Sequence, residues 1–316
     1  MKEQIRAFKK ALAAAGLTTK EGELLSAHTT FGIGGPAELY LRISTEEELQ
    51  LALALVHEHS PPSFLLGGGS NLLVRDGGIS GLVIHDKTQG WSMQGKEVTI
   101  ASGEWLTDVV EAIAQKGIGG LEYLAGIPGT LGGAVCGNAG AYGQDISDSI
   151  VSLRVFKKGK IATISPKELG YGYRTSLLKR SVGTNGLPEM VVISATLRVN
   201  PKPEKSPIER VREILDHRDG RLPPREIGCA GSYFKNLPAL EAGGRRRAAG
   251  MLLDQTGVKG LTIGGAQVFK GHANIIVNIG GAKAKDVLDL AEEMKRRVKD
   301  KFGINLEAEV MTVGQD

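Results

Sequence analysis

Residues 228–236 read GCAGSYFKN. A thiol, Cys229, and a hydroxyl, Ser232, stand three apart among small residues, with Lys235 and Asn236 close behind. Cys229 beside glycine would act as a nucleophile only with a histidine near it in space; otherwise it is a small packing residue. Ser232 lies in A-G-S-Y-F rather than in the G-x-S-x-G elbow of a serine hydrolase. In an extended chain the odd spacing turns these two side chains to opposite faces. Arg174, in GYGYRTS, is placed as a stacked surface residue or as a carboxylate clamp. Glu309, in the terminal LEAEV, shares a face on period two with Glu307 and Met311. Spacing alone joins none of Arg174, Ser232 and Glu309.

Two glycine runs carry a different chemistry. The first is Gly67–Gly68–Gly69–Ser70–Asn71; the second is AGIPGTLGGAVCGNAGAYG, residues 125–143, which reads as a loop. Glycines let a main chain approach a pyrophosphate closely and offer it N–H donors. Neither run is followed by Gly-Lys-Ser/Thr, and the chain has no G-x-G-x-x-G, so neither a Walker loop nor a Rossmann site is expected. Two such runs in one lobe point to a dinucleotide or flavin cradle.

The elements that must hold these groups are mixed. The 316 residues suggest two domains, and 41% hydrophobic with 23% charged residues is ordinary globular usage. The 44 glycines are about twice the usual share. A net charge of +4 suits an anionic small molecule, and with 5% aromatics the chain lacks the stacking residues of a nucleic-acid binder. The dense basic run, Arg245–Arg246–Arg247, also reads as a solvated helix start. Two separated cysteines argue against a disulfide scaffold, and His57 and His59 face different sides of their helix, so no metal site is expected. The charged amphipathic N-terminus has no long apolar stretch and no 18-residue apolar run occurs, so no membrane span is expected and a cytoplasmic protein is the expectation. Strands are expected at 37–43, 190–199 and through the terminal INLEAEVMTVG. Helices are expected from a capping box at Ser44–Glu47, at 105–115, 208–217 and 245–255, and at 284–302 with Val287, Leu290, Ala291, Met294, Val298 and Phe302 on one face. NPKPEKSP, residues 200–207, reads as a linker. Without regular βα alternation the class is α+β.

Seven ordered blocks now add up: FGIGGPAEL, LGGGSNLLV, the 125–143 run, YGYRTS, GCAGSYFKN, VKGLTIGGAQV and KFGINLEAEV. Together, from residue 31 to 310, they resemble the bacterial UDP-N-acetylenolpyruvoylglucosamine reductases. The resemblance implies a two-lobed FAD-binding region of the vanillyl-alcohol-oxidase/p-cresol-methylhydroxylase type over 1–200, joined by the terminal strand 304–316, and an α+β substrate-binding domain over 206–303. It implies noncovalent FAD, held by Gly67, Gly68, Gly69, Ser70, Asn71, Gly126, Pro128, Gly129, Thr130, Gly133, Asn138 and Gly140. On the same resemblance NADPH would reduce the flavin. The reduced flavin would then give a hydride to the enolpyruvyl methylene of UDP-N-acetylglucosamine enolpyruvate, and a proton would complete UDP-N-acetylmuramate for peptidoglycan synthesis. Arg174 would clamp the carboxylate, Ser232 would donate the proton, and Glu309 would bind or relay protons there. Arg221, Asn236, Lys259 and His272 would meet the diphosphate and uridine. A monomer is expected, with no nucleic-acid partner.

The chain departs from the family pattern at Leu237, where the block reads Lys-Asn-Pro, at Met311, where arginine is common, and at Gly32, often basic. It also lacks the tyrosine-bearing substrate loop of longer members. The alternatives are another flavoenzyme of the same fold, such as an alcohol or lactone oxidase, and a basic nucleic-acid-binding module.

Overall fold

Ile5, Phe8 and Leu12 recur at helical spacing, and they are the buried side of the first helix, α1 (Lys2–Ala14). The structure is a computed structural model that describes residues 2–220, 222–224, 226–241, 244 and 246–316. These divide into two units, each interleaved in sequence. The first holds residues 2–23, Ala37–Gly68 and Ser80–His217; the second holds Leu24–Pro36, Gly69–Ile79 and Arg218–Asp316.

The first unit has two cores. In one, a sheet of order β1-β2-β5-β3, formed by Thr19–Leu24, Pro36–Ile43, Ile79–Asp86 and Ser63–Leu66, buries Leu39, Leu41, Ile43, Leu82 and Ile84. It packs with α1 and α2 (Glu46–His59), and β3 runs parallel to β5. The capping box of α2 lies one residue beyond its expected place. Thr45 Oγ1 accepts the Glu48 N–H, and Glu48 accepts from the Ser44 and Thr45 N–H groups, so Thr45 rather than Ser44 is the cap. The second core lies on an antiparallel sheet of order β11-β10-β12-β7-β6, formed by Lys160–Ile164, Ile150–Lys157, Met190–Arg198, Glu97–Ala101 and Trp91–Gln94. Its neighbours include α3 (Leu106–Gln115), α4 (Leu131–Gly137), α5 (Leu177–Arg180) and α6 (Pro207–Asp219).

Helix α4 corrects an expectation, because residues 125–143 are not all loop. Glycines are poor helix formers, so the sequence hides a short helix whose start is fixed by the Thr130 hydroxyl. After it come β8 (Gly140–Ala141) and β9 (Gln144–Asp145), a two-residue hairpin. Its tip residues, Tyr142 and Gly143, have φ of 55° and 83°, the positive pair that a type I′ turn needs.

The second unit packs α7 (Ala249–Gln255) and α8 (Ala284–Phe302) with a sheet of order β13-β16-β15-β14, formed by Gly228–Ser232, Ile275–Asn278, Ala266–Val268 and Thr262–Ile263. Val287, Leu290, Ala291, Met294 and Val298 of α8 are buried as the spacing predicts, and Phe302 packs partly buried beside them. Each large side chain there contributes about 1.5–3 kcal/mol by burial. Helix α7 begins at Ala249, later than expected, because Leu237 and Arg247 pair as an antiparallel bridge; Arg245 lies outside the described residues. The expected terminal strand is also shorter. Only β17 (Met311–Val313) is a strand, parallel to β4 (Leu72–Val74), while Ala308 makes an isolated bridge to Phe234.

Candidate active site

In the first unit the glycine runs meet main chain to main chain. A Cβ at Gly67 would lie 2.7 Å from Thr130 Oγ1; one at Gly68 would lie 3.0 Å from Gly129 Cα and 3.1 Å from the Trp105 ring. Gly126 and Gly129 have φ of 69° and 131°, which side chains rarely adopt. Thr130 starts α4 by accepting the Gly133 N–H. Gly133 and Gly137, four apart, share a face of that helix. A Cβ at Gly133 would meet only Thr130 Oγ1, at 3.7 Å, and one at Gly137 nothing within 4 Å. This turn is tied to the preceding loop by Leu106 N–H to Gly129 O (3.1 Å), Leu131 N–H to Glu104 O (2.9 Å) and Gly132 N–H to Ser102 O (2.8 Å).

That loop rests on a residue the sequence reading missed. Asp86, buried at the end of β5, accepts from Thr88 N–H (3.0 Å), Thr88 Oγ1 (2.7 Å) and Ser102 Oγ (2.5 Å). Its signal was an acid closing the apolar run GLVIHD.

Arg174 also belongs to the first unit. Its guanidinium donates to Asn138 O (3.2 Å) and Gly140 O (2.8 Å), stands 4.0 Å from Asp145 Oδ1, and lies over the Tyr173 ring at 5.3 Å. Its backbone is left-handed, φ 56°, an uncommon state for arginine that clusters at functional sites. Carbonyls orient the guanidinium without neutralising it. Burial pushes the Asp145 carboxyl above its ordinary range, Arg174 opposing and Asp148 adding. A Cβ at Gly140 would lie 2.0 Å from Asp145 Oδ1, so this hairpin base requires glycine. Asn138, expected as a cofactor contact, is buried with its amide committed within the protein: Nδ2 donates to Gly172 O (3.1 Å), and Oδ1 accepts the Ser147 N–H (3.3 Å).

Ser232 and Glu309 lie in the second unit. Ser232 ends β13 and is exposed. Strand β13 pairs Cys229 with Val277 and Ser232 with Ile275, so three steps on one strand match two on the other. The bulge falls at Gly231, whose φ is 71°. It corrects the expected alternation: residues opposite partners two apart share a face, so Cys229 and Ser232 are on the same side. Burial still pushes the Cys229 thiol up, with the Gly231 N–H opposing. Glu309 faces Tyr233, the neighbour of Ser232; its N–H donates to Tyr233 O (2.7 Å) and its carbonyl accepts from Asn71 Nδ2 (3.1 Å). Glu309 is half-buried, unlike exposed Glu307 and Met311, because the period-two strand does not extend through it. Gly69, Ser70 and Asn71 are also in this unit, and a Cβ at Gly69 would lie 2.2 Å from His28 O.

Three substrate candidates gather around α7. Asn236 Oδ1 accepts the Ala249 N–H (3.2 Å), the His272 ring would be 3.3 Å from a Cβ at Gly250, and Lys259 pairs with Asp254 at 2.8 Å. Arg221 lies outside the described residues. Gly32 has φ 66°, so a basic side chain there would be strained. A second missed residue, Asn274, is 2% exposed; its amide accepts the Phe234 N–H (2.9 Å) and donates to Phe234 O (2.8 Å).

Comparison with known proteins gives this geometry its class. Residues 37–165 match the family described as FAD binding domain, and residues 223–313 the family described as UDP-N-acetylenolpyruvoylglucosamine reductase, C-terminal domain. The close glycine contacts and the side-chain-free face of α4 fit a cofactor whose phosphates need naked main chain. The α+β fold therefore joins an FAD-binding region to a C-terminal domain of that reductase family, and the chain is an FAD-dependent oxidoreductase. A UDP-N-acetylenolpyruvoylglucosamine reductase of Anoxybacillus flavithermus is 38% identical over 94% of this chain and 95% of its own. One of Trichormus variabilis is 42% identical over 94% of this chain and 86% of its own. The crystal structure of the Thermus caldophilus enzyme aligns with a TM-score of 0.76 and 35% identity, over 94% of this chain and 99% of that one. The chain belongs to the UDP-N-acetylenolpyruvoylglucosamine reductase family.

Proposed function

We propose that this protein reduces UDP-N-acetylglucosamine enolpyruvate to UDP-N-acetylmuramate in the cytoplasm, as a monomer in peptidoglycan precursor synthesis, with NADPH as the electron source. The observation that carries the reading is the relationship to reductases of that name over 94% of the chain. The alternative oxidase reading is not favoured by these relatives.

The flavin region is assigned to 1–200 and the substrate domain to 206–303. Gly67, Gly68, Gly69, Ser70, Asn71, Gly126, Pro128, Gly129, Thr130, Gly133 and Gly140 would hold FAD, and Asn138 would shape that loop; once reduced by NADPH, the cofactor would supply the hydride for the enolpyruvyl methylene. The chain's own work is at the other carbon. Arg174 keeps its positive charge in place through two carbonyl contacts, and so can bind the substrate carboxylate and the negative charge that develops beside it. Ser232 presents an exposed hydroxyl to protonate the α carbon, and Glu309 binds or relays protons at the same centre. An alcohol is a weak acid toward water, but an enolate carbon is a strong enough base to take its proton when the two are held together. Arg221, Asn236, Lys259 and His272 would bind the diphosphate and uridine.

The test is stopped-flow absorbance of the yellow holoenzyme. NADPH should bleach the flavin, and the enolpyruvyl sugar should restore the colour. In Ser232→Ala, restoration should slow by about 10²–10⁴-fold while bleaching changes little. Equal slowing of both steps would remove Ser232 from the proton-donor role. Failure of the sugar to restore colour in the wild type would sink the reading as a whole.

A further inference from the structure

The ladder between β13 and β16 fails beside Ser232. The Gly231 bulge breaks its register, and Ser232 opposite Ile275 is the last pair. Past that point the chain is held by Asn274, 40 residues away in sequence. Its amide accepts the Phe234 N–H (2.9 Å) and donates to Phe234 O (2.8 Å), and its own carbonyl accepts the Tyr233 N–H (2.8 Å). Tyr233 and Phe234 are almost wholly buried. On their other side, Tyr233 O accepts the Glu309 N–H (2.7 Å). The same asparagine donates its own N–H to His272 Nδ1 (3.2 Å).

We propose that Asn274 is a positioning residue for Ser232: one buried amide replaces the missing ladder and sets the serine hydroxyl in register with Glu309. The inference rests on the proton-donor role of Ser232. A side-chain amide can do this because it offers an acceptor and a donor side by side, matching a peptide edge. A carboxylate cannot while ionised: both its oxygens accept, one would face Phe234 O, and the repulsion parts the pair so that the Phe234 N–H loses its acceptor as well.

That asymmetry provides the experiment. In the holoenzyme, Asn274→Ala should slow colour restoration by the enolpyruvyl sugar on the order of 10²-fold, and slow it far more than bleaching by NADPH. Asn274→Asp should be similarly slow at neutral pH and regain rate as the pH falls, because the protonated carboxyl again donates to Phe234 O. Wild type should show no such acid limb. Amide hydrogen exchange at Phe234 should follow the same limb, with protection lost at neutral pH and regained on acidification. In the Ser232→Ala background, Asn274→Ala should add no further slowing. The inference is overturned if Asn274→Ala slows the double variant by the same factor as it slows wild type, or if the aspartate variant shows no acid recovery in rate or exchange. If Ser232→Ala itself leaves restoration fast, the role of Ser232 falls instead, while the exchange result still reports whether the clamp exists. If the alanine variant does not fold, the aspartate variant carries the test by its pH limb.

Discussion

Cys229 and Ser232 lie three residues apart on one face of one strand, and they differ in what burial does to them. The serine is exposed, whereas burial holds the cysteine thiol above its ordinary range. At neutral pH its thiolate population is therefore below that of a free cysteine, and the thiolate is the reactive form. Alkylation of Cys229 by iodoacetamide at neutral pH should be slower than alkylation of free cysteine, and should reach its plateau at a higher pH. Cys229→Ala should retain colour restoration by the substrate; its loss would transfer the chemistry from Ser232 to the thiol. The residue types of this pair were plain in the sequence, but their shared face was not. It depends on a positive φ at Gly231, and a glycine in a strand does not announce which φ it takes. Asn274 was hidden for another reason: its partners are 40 residues away, and nothing local distinguishes a clamping asparagine from a surface one.

Among the elements, α4 and its flanking turns are the most demanding. Gly68 meets Gly129, Thr130 and Trp105 at once, with no slack for a methyl group. Gly68→Ala should displace the Gly129–Thr130 main chain by a few tenths of an ångström. We expect the purified variant to retain less FAD than wild type, read from the ratio of visible to ultraviolet absorbance, with a fall in stability of only about 1–3 kcal/mol. Full flavin occupancy would show that this contact is not part of the cofactor cradle. The helices α1 and α8 were legible in the sequence because apolar residues recur on one face over several turns. Helix α4 was not, because seven residues rich in glycine carry neither period nor propensity, and only the Thr130 cap and the tertiary contact with Ser102 make it a helix. The terminal strand was overread for the opposite reason: alternation runs from Ile304 to Val310, while the ladder exists only at 311–313.

For the whole molecule, both units bury tyrosines. Burial raises Tyr40 and Tyr123 of the first unit and Tyr233 of the second to about 12. In the unfolded chain tyrosines lose their protons near about 10. Between those values the folded state holds more protons than the unfolded one, so stability falls as pH rises. Their contribution is fully present below about pH 10 and is lost as pH passes through about 12. Thermal melting should therefore be insensitive to these groups up to pH 10 and decline steeply beyond it, and Tyr233→Phe should soften that decline. An unchanged slope in the variant would remove Tyr233 from the account. The interleaving of the second unit has a consequence of its own. Residues 72–74 pair with residues 311–313, and Arg75 forms an ion pair with Asp316. During synthesis, residues 72–74 leave the ribosome long before residues 311–313, the strand with which they pair. The second unit therefore completes only once residues 311–313 have emerged, and the growing chain must keep an apolar strand from aggregating for the whole interval.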